Sequence, residues 1–276
     1  MNDELTLFVY WQDPDTRRWH VVGRLTHSQE LFRFVYTQGA LASPRFVPFG
    51  RMTGLQDEYQ SRELFPLFSN RLLPKSRPEY RDFLNWLAMD NGNADPLMLL
   101  GRSGGLRGTD TLAMYPMPVP EGDNSYRVTF FCHGMRYMGK SFGETVSVLQ
   151  TYETLYPMYD MQNPSDKNAL ALRTNDPATM IGYCPRFFAK DFRSLLEACP
   201  KEARISVLRI NHGAPIEFRL LCEFKSPWPK GFSACSDVEY KSLAKKHPSR
   251  PPNKKKTKQR KTKSRNKTRK KSATRR

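Results

Sequence analysis

The 276-residue sequence lacks paired cysteines, long apolar runs and any acidic residue after Glu239. Its five cysteines, Cys132, Cys184, Cys199, Cys222 and Cys235, show no C-x-x-C spacing and are odd in number. That pattern suits reduced, mostly buried thiols better than a disulfide frame. Cys132 and His133 adjoin without clustered partners, so no metal site is expected there. No stretch approaches the roughly 20 apolar residues of a membrane span. The start, MNDELTLFVYW, carries acids where a secretory leader carries basic charge. These absences point to the cytoplasm, a bacterial cytosol or nucleoid, and to no membrane partner. Missing too are a carboxylate cluster at metal-binding spacing, a nucleophile–base pair and a G-x-x-x-x-G-K-[ST] loop. No enzyme activity and no cofactor are therefore expected. GRSGGLRG (Gly101 to Gly108) superficially suggests a phosphate cradle, but without strand–loop–helix order it reads as a structural turn.

Basic charge is abundant and unevenly placed. Of the 45 Lys and Arg, 18 follow Glu239 with no acid among them, which leaves 27 against 27 Asp and Glu in residues 1–239. The formal net charge of +18 therefore belongs to the tail, and the body is formally neutral. From Lys245 onward the chain has no apolar cluster, so it cannot bury enough surface to offset ordering and is expected to be disordered. Its Lys254, Lys255, Lys256, Lys258, Arg260, Lys261, Lys263 and Arg265 are candidate nonspecific phosphate contacts, whose affinity would fall steeply with salt. A role in solubility or ribosome association is the other reading. All 17 Phe and all four Trp lie before Glu239, ample for a core.

Along the chain, Leu5–Gln12, Trp19–Leu25 and Leu31–Tyr36 read as strands, followed by a loop-like stretch from Gly39 to Gly54. Leu64, Leu67, Phe68 and Leu72 form one helical apolar face, and Tyr80, Phe83, Leu84 and Leu87 a second. Asp95–Pro96 opens a short helix ending at Gly101 or Gly104, and Thr109–Tyr115 closes as a strand. Pro116 to Asn124 has linker composition. Strands are then expected at Arg127–His133, Glu144–Gln150, Tyr152–Met161, Ala169–Thr174, Thr179–Cys184, Ile205–Ile210 and Ile216–Phe224. Between them, Pro185 suits a first helical turn and Phe188, Phe192, Leu195 and Leu196 make one stripe. The expected organisation is an α+β domain over residues 1–116 (short strands plus two or three helices) and a linker over 117–125. A small, closed or half-closed, mainly β barrel with one helix follows over 126–239, which hides its edges by closure. The disordered basic tail takes 240–276.

Asn163 to Arg186, NPSDKNALALRTNDPATMIGYCPR, reads physically as a hairpin followed by a helix, with polar residues at the turn. The order NP(x)DKNA, strand, turn, IGY(x)PR and amphipathic helix resembles the HIRAN domain, over residues ~126–226. That family occurs at the front of some eukaryotic fork-remodelling DNA translocases and as separate bacterial proteins. Gly134 to Met138 is similar to its G(x)RYY segment. The resemblance implies an OB- or SH3-like barrel with a pocket for the 3′ end of single-stranded DNA. Arg136 would hold a phosphate or cover a base, and Tyr137 would stack on a base. Asp166, with Asn168 beside it, would accept a hydrogen bond from a terminal sugar hydroxyl. Tyr183 and Arg186 stand where relatives carry polar or basic contact residues. His212 falls near a position where an aromatic is expected, and Ser165 replaces another. The plain alternatives are that Asp166 and Asn168 cap their own turn, that Tyr137 is a core ring, and that Arg136 and Arg186 are solvated charges.

Residues ~4–116 carry a second likeness. VVGRL, an aromatic strand, LFPLFSNRLLPKS and DPLMLLGRSGG before a final strand resemble the amino-terminal subdomain of HipA-type toxin kinases. Asn70, Leu72, Leu73, Pro74 and Leu99 to Arg102 match its pattern, with Ser103 where an acid is common. The family's catalytic region is not recognisable downstream. The two likenesses together imply a non-catalytic nucleic-acid-binding protein, with DNA expected and RNA as the alternative. Residues 1–116 would dock a partner protein such as a kinase or DNA-processing enzyme. A regulatory, antitoxin-like subunit of a toxin–antitoxin kinase system is the competing reading.

Overall fold

A strand buried on both faces joins the two sheets of this molecule. The computed structural model describes residues 4–89, 95–108, 110–139 and 141–245. In it β1 (Leu5–Gln12) buries five consecutive residues, so LTLFVYWQ does not alternate as a half-exposed strand would. Leu7 and Val9 face a core within the first half of the chain. Phe8 and Tyr10 face a larger core shared with the second half. The first sheet is antiparallel, with β2 (Trp19–Ser28), β3 (Leu31–Tyr36), β4 (Glu58–Ser61) and β5 (Leu112–Pro116) in the order β4-β3-β2-β1-β5. Helices α1 (Pro66–Ser69), α2 (Tyr80–Trp86) and α3 (Pro96–Ser103) belong to this half. Asp95 starts α3 by accepting the Leu97 N–H at 2.7 Å, and Gly104 ends it in the left-handed conformation.

The second sheet is a curled antiparallel half-barrel of six strands. Its members are β6 (Ser125–Phe131), β7 (Thr154–Tyr159), β8 (Leu170–Arg173), β9 (Met180–Tyr183), β10 (Arg204–Ile210) and β11 (Leu220–Pro227), ordered β6-β11-β10-β7-β8-β9. The outer strands meet at one point. His133, just past β6, pairs with Tyr183 of β9 through backbone bonds of 2.8 and 2.9 Å. Gly182 permits that approach. Its φ is +152°, and a Cβ there would sit 2.5 Å from both Cys132 Sγ and the His133 carbonyl oxygen. The core is aromatic. Helix α5 (Arg186–Ala198) presses Phe188 and Phe192 into it, and Phe192 stacks on Phe224 at 4.0 Å. A truncation such as Phe192→Ala in such a site typically costs about 3–5 kcal/mol.

Three expectations need correction. Glu144–Gln150, expected as a strand, lies largely in helix α4 (Ser141–Val148), so the half-barrel carries two helices rather than one. Val146 and Leu149 are buried three residues apart, a helical spacing that overrides the β-branched content. Ile216–Phe224 is a 3₁₀ turn (Ile216–Phe218) followed by β11, not one strand. Tyr240 to Lys245, assigned by composition to the tail, instead pack on the first sheet. Leu243 N–H donates to Tyr36 O at 2.8 Å, and Tyr240 packs edge-on against Phe8. The described residues accordingly form one compact unit. The tail cations named above lie outside the described residues. Among the described residues, no helix is long and apolar enough to cross a membrane.

Candidate nucleic-acid interface

The backbone seam between His133 and Tyr183 decides where the candidate residues stand. Directly after it Gly134 turns with φ +70°, a conformation side chains resist, and a Cβ there would lie 3.0 Å from the Tyr183 ring. Met135–Tyr137 then form one 3₁₀ turn. Met135 is buried and anchors it, whereas Tyr137 is 82% exposed. Tyr137 is therefore no core ring. Arg136 is exposed as well and pairs with Glu217 of the Ile216–Phe218 turn. Exposed pairs of this kind contribute little stability, about 0–1 kcal/mol.

Tyr183 links the seam to the polar turn before β8. Its hydroxyl donates to Asp160 Oδ2 at 2.9 Å, and Asn163 Nδ2 donates to the same oxygen at 3.1 Å. The Asn163 bond first and the Tyr183 bond second hold the Asp160 carboxyl below its usual pKa. Asn163 Oδ1 in turn accepts the N–H groups of Ser165 and Asp166, each at 3.0 Å. Asp166 Oδ1 accepts the Asn168 N–H at 2.9 Å. Asp166 thus caps its own turn through one oxygen, while no hydrogen bond to Oδ2 is found among the described residues. Asn168 contributes its backbone to that cap. Arg186 opens α5 and lies near His133, whose imidazole is pushed down to about 4, chiefly by burial and further by the Arg186 charge. His133 is thereby neutral at pH 7, and its Nε2 is 3.3 Å from the Tyr115 hydroxyl.

Tyr183, Arg186 and the Asp166 turn are linked to Arg136 and Tyr137 through the seam, but of the candidates only Arg136 and Tyr137 line the adjoining cleft. His212 is not linked to the seam. It is exposed in the turn after β10 and lines no part of the cleft that holds Arg136 and Tyr137. Two participants escaped the sequence reading. Asp160 joins Tyr183 to Asn163, and only its position three residues before the NPSD turn hinted at this. Glu217 opposes Arg136 from 81 residues away, a separation that no local pattern reveals.

The cleft has a volume of about 770 Å³. Elsewhere in the chain, Cys132, Cys184 and Cys222 are buried free thiols, and burial pushes Cys132 up to about 12. Among the described residues, no three His, Cys, Asp or Glu side chains are grouped to hold a metal ion. The Gly101–Gly108 stretch is a helix-ending turn. Gly104 O accepts the Met114 N–H at 2.8 Å, and the Gly105 N–H reaches Ser103 Oγ at 3.3 Å.

Residues 125–228 match the family model of the HIRAN domain, a span that covers the half-barrel and its helices and leaves the first sheet unmatched. Two solved structures are similar to a part of the chain. One is a protein from Lactobacillus plantarum, 16% identical, covering 37% of this chain and 98% of its own length with a TM-score of 0.28. The other is the HIRAN domain of human HLTF, 18% identical, covering 40% of this chain and 92% of its own length with a TM-score of 0.29. A comparison with curated proteins finds no matching relative.

Proposed function

We propose that this chain is a non-catalytic nucleic-acid-binding protein whose HIRAN domain receives the 3′ end of single-stranded DNA at the His133–Tyr183 seam. One observation carries the reading: Asp166 uses Oδ1 to cap its turn and keeps Oδ2 without an intramolecular donor among the described residues. A carboxylate repels phosphate, so an acid in a DNA site is useful where a sugar hydroxyl donates to it. Exposed Tyr137 would stack on a base, a contact worth roughly 1–3 kcal/mol. Arg136, released from Glu217, would take a phosphate through its planar fork, and Arg186 would add positive charge near the neutral His133. Tyr183 would act by holding Asp160 and hence the turn. The tail would raise affinity without sequence preference.

The test compares oligonucleotides ending in a 3′-hydroxyl and a 3′-phosphate on the full chain, since the tail contributes alike to both. Preference for the hydroxyl is expected, at about tenfold. Equal affinity for both ends removes the end-recognition reading. For residues 1–116, docking of a separately encoded kinase or DNA-processing enzyme, or an antitoxin-like regulatory role, rests on the HipA-type sequence resemblance alone. Co-purification of the full chain with a kinase encoded beside it tests that part, and failure to co-purify counts against it.

A further inference from the structure

The cleft beside Arg136 and Tyr137 has an opposite wall built by the first half of the chain. Arg17 and Trp19 reach it from the β1–β2 hairpin, Arg102 from the end of α3, and Arg107 from the loop that follows. Buried Arg71 fixes that loop. Its side chain, 2% exposed, donates to Gly105 O at 2.8 Å and pairs with Asp110, while its Nε donates to Leu67 O at 3.1 Å. Gly105 at the start of the loop is thus held in place, and Arg107 is the charged side chain that the loop offers the cleft.

The charges in this space do not balance. Arg17, Arg102, Arg107 and Arg136 line it against the single acid Glu217, which already opposes Arg136. Arg102 donates to Leu87 O at 3.1 Å. Arg17 and Arg107 are exposed and have no acidic partner among the described residues. Asp110, the acid nearest Arg107 in sequence, is taken by Arg71. A body of formally zero net charge therefore gathers three guanidinium groups along one wall, two of them without an acidic partner. Trp19 supplies a ring on the same wall, held edge-on by Phe187 at 5.3 Å. Guanidinium groups interleaved with aromatic rings are the chemistry that tracks a single-stranded nucleic-acid backbone.

We propose that this cleft is a track for the sugar-phosphate backbone of a single DNA strand, with Arg17 and Arg107 contacting phosphates of nucleotides upstream of the terminal one. The proposal rests on the end-recognition reading above and adds to it a site contributed by residues outside the HIRAN match. It gives the first sheet a binding role of its own. It also makes affinity depend on strand length beyond the terminal nucleotides.

The experiment measures binding of 3′-hydroxyl oligo-dT of three and ten nucleotides to the full chain, by fluorescence anisotropy over a salt series. Wild type, R17E/R107E and a control with the same charge change away from the cleft, R77E/R81E, are compared, each also with a 3′-phosphate ten-mer. The expected result is that R17E/R107E binds the ten-mer at least about tenfold more weakly, while the three-mer and the end preference change little. Its salt slope should shrink by roughly 1.4, about 0.7 for each phosphate of a single strand that is no longer neutralised. The control should behave as wild type. A fall in ten-mer affinity equally large in R77E/R81E, or an unchanged length dependence and slope in R17E/R107E, overturns the track and leaves end recognition standing. Absence of any 3′-hydroxyl preference in wild type overturns end recognition, and the track with it.

Discussion

Two turns carry the residues that a resemblance to HIRAN domains singles out, and they use their polar groups in opposite ways. The Asn163–Asn168 turn spends its side chains on itself. Asn163 binds two backbone amides and Asp160, and Asp166 binds the Asn168 amide. The Gly134–Tyr137 turn is held from below by the seam and by buried Met135, and turns Arg136 and Tyr137 outward. A recognition role in the first turn can use only the valence that folding leaves over, here Asp166 Oδ2. In the second, folding makes little use of the Arg136 and Tyr137 side chains, and Met135 alone is buried. Substitutions should therefore cost stability in one turn and affinity in the other.

The largest effect is expected where the seam itself is broken. Gly182→Ala places a Cβ 2.5 Å from Cys132 Sγ and from the His133 carbonyl oxygen, at a φ that alanine resists. A loss of about 3 kcal/mol or more is expected in urea unfolding, with both turns losing DNA binding together. A stability change under about 1 kcal/mol would mean that the edges separate without penalty. Tyr137→Ala should then reveal the displayed turn on its own. Stability should stay within about 0.5 kcal/mol, while single-strand affinity falls by about 1–3 kcal/mol, read by denaturation and titration of the same sample.

Beneath the displayed turn the order of protonation matters. His133 is held down at about 4 when folded against about 6.5 when unfolded. The unfolded chain then binds the extra proton first, so stability should fall as pH drops from about 6.5 towards about 4. For a half-buried ring the size is on the order of 1–2 kcal/mol. His133→Gln should flatten that slope, and an unchanged slope would assign it to another group. In the self-capped turn, Asp166→Ala should cost about 1 kcal/mol of stability and the 3′-hydroxyl preference. Asp166→Asn keeps an oxygen for the Asn168 amide and should retain stability. Equal stability of the two variants would show that the cap contributes nothing. Smallest is Glu217→Gln, which removes the acid facing Arg136. It should tighten DNA binding a few-fold with stability unchanged, and weaker binding would show that Glu217 helps to orient Arg136.

Much of the architecture was legible because it rests on local rules. Pro185 before the stripe of Phe188, Phe192 and Leu195 announces α5, and Gly101 and Gly104 announce the end of α3, which the structure places at Gly104. The turn chemistry of Asn163 to Asn168 is likewise local. Helix α4 is hidden in the sequence because the valines and threonine of GETVSV suit either state, and burial of Val146 and Leu149 decides between them. Strand β4 and the return of Tyr240–Lys245 to the first sheet depend on partners far away in sequence.

By itself the sequence determined which segments would be strands, helices and turns in most of the chain, that the aromatic residues for a core precede the tail, and that the excess charge is confined to the tail. Those properties follow from residue type and short spacing. Only the tertiary structure decided that β1 is buried on both faces, that His133 meets Tyr183, that Glu217 opposes Arg136, and that Arg17 and Arg107 face Arg136 and Tyr137 across one cleft. Each of these joins residues from about 30 to more than 200 positions apart, through sheet curvature and the packing of one half on the other. Net charge is a sum over the chain and carries no positions. A body that sums to zero can still gather its arginines along one wall once it folds.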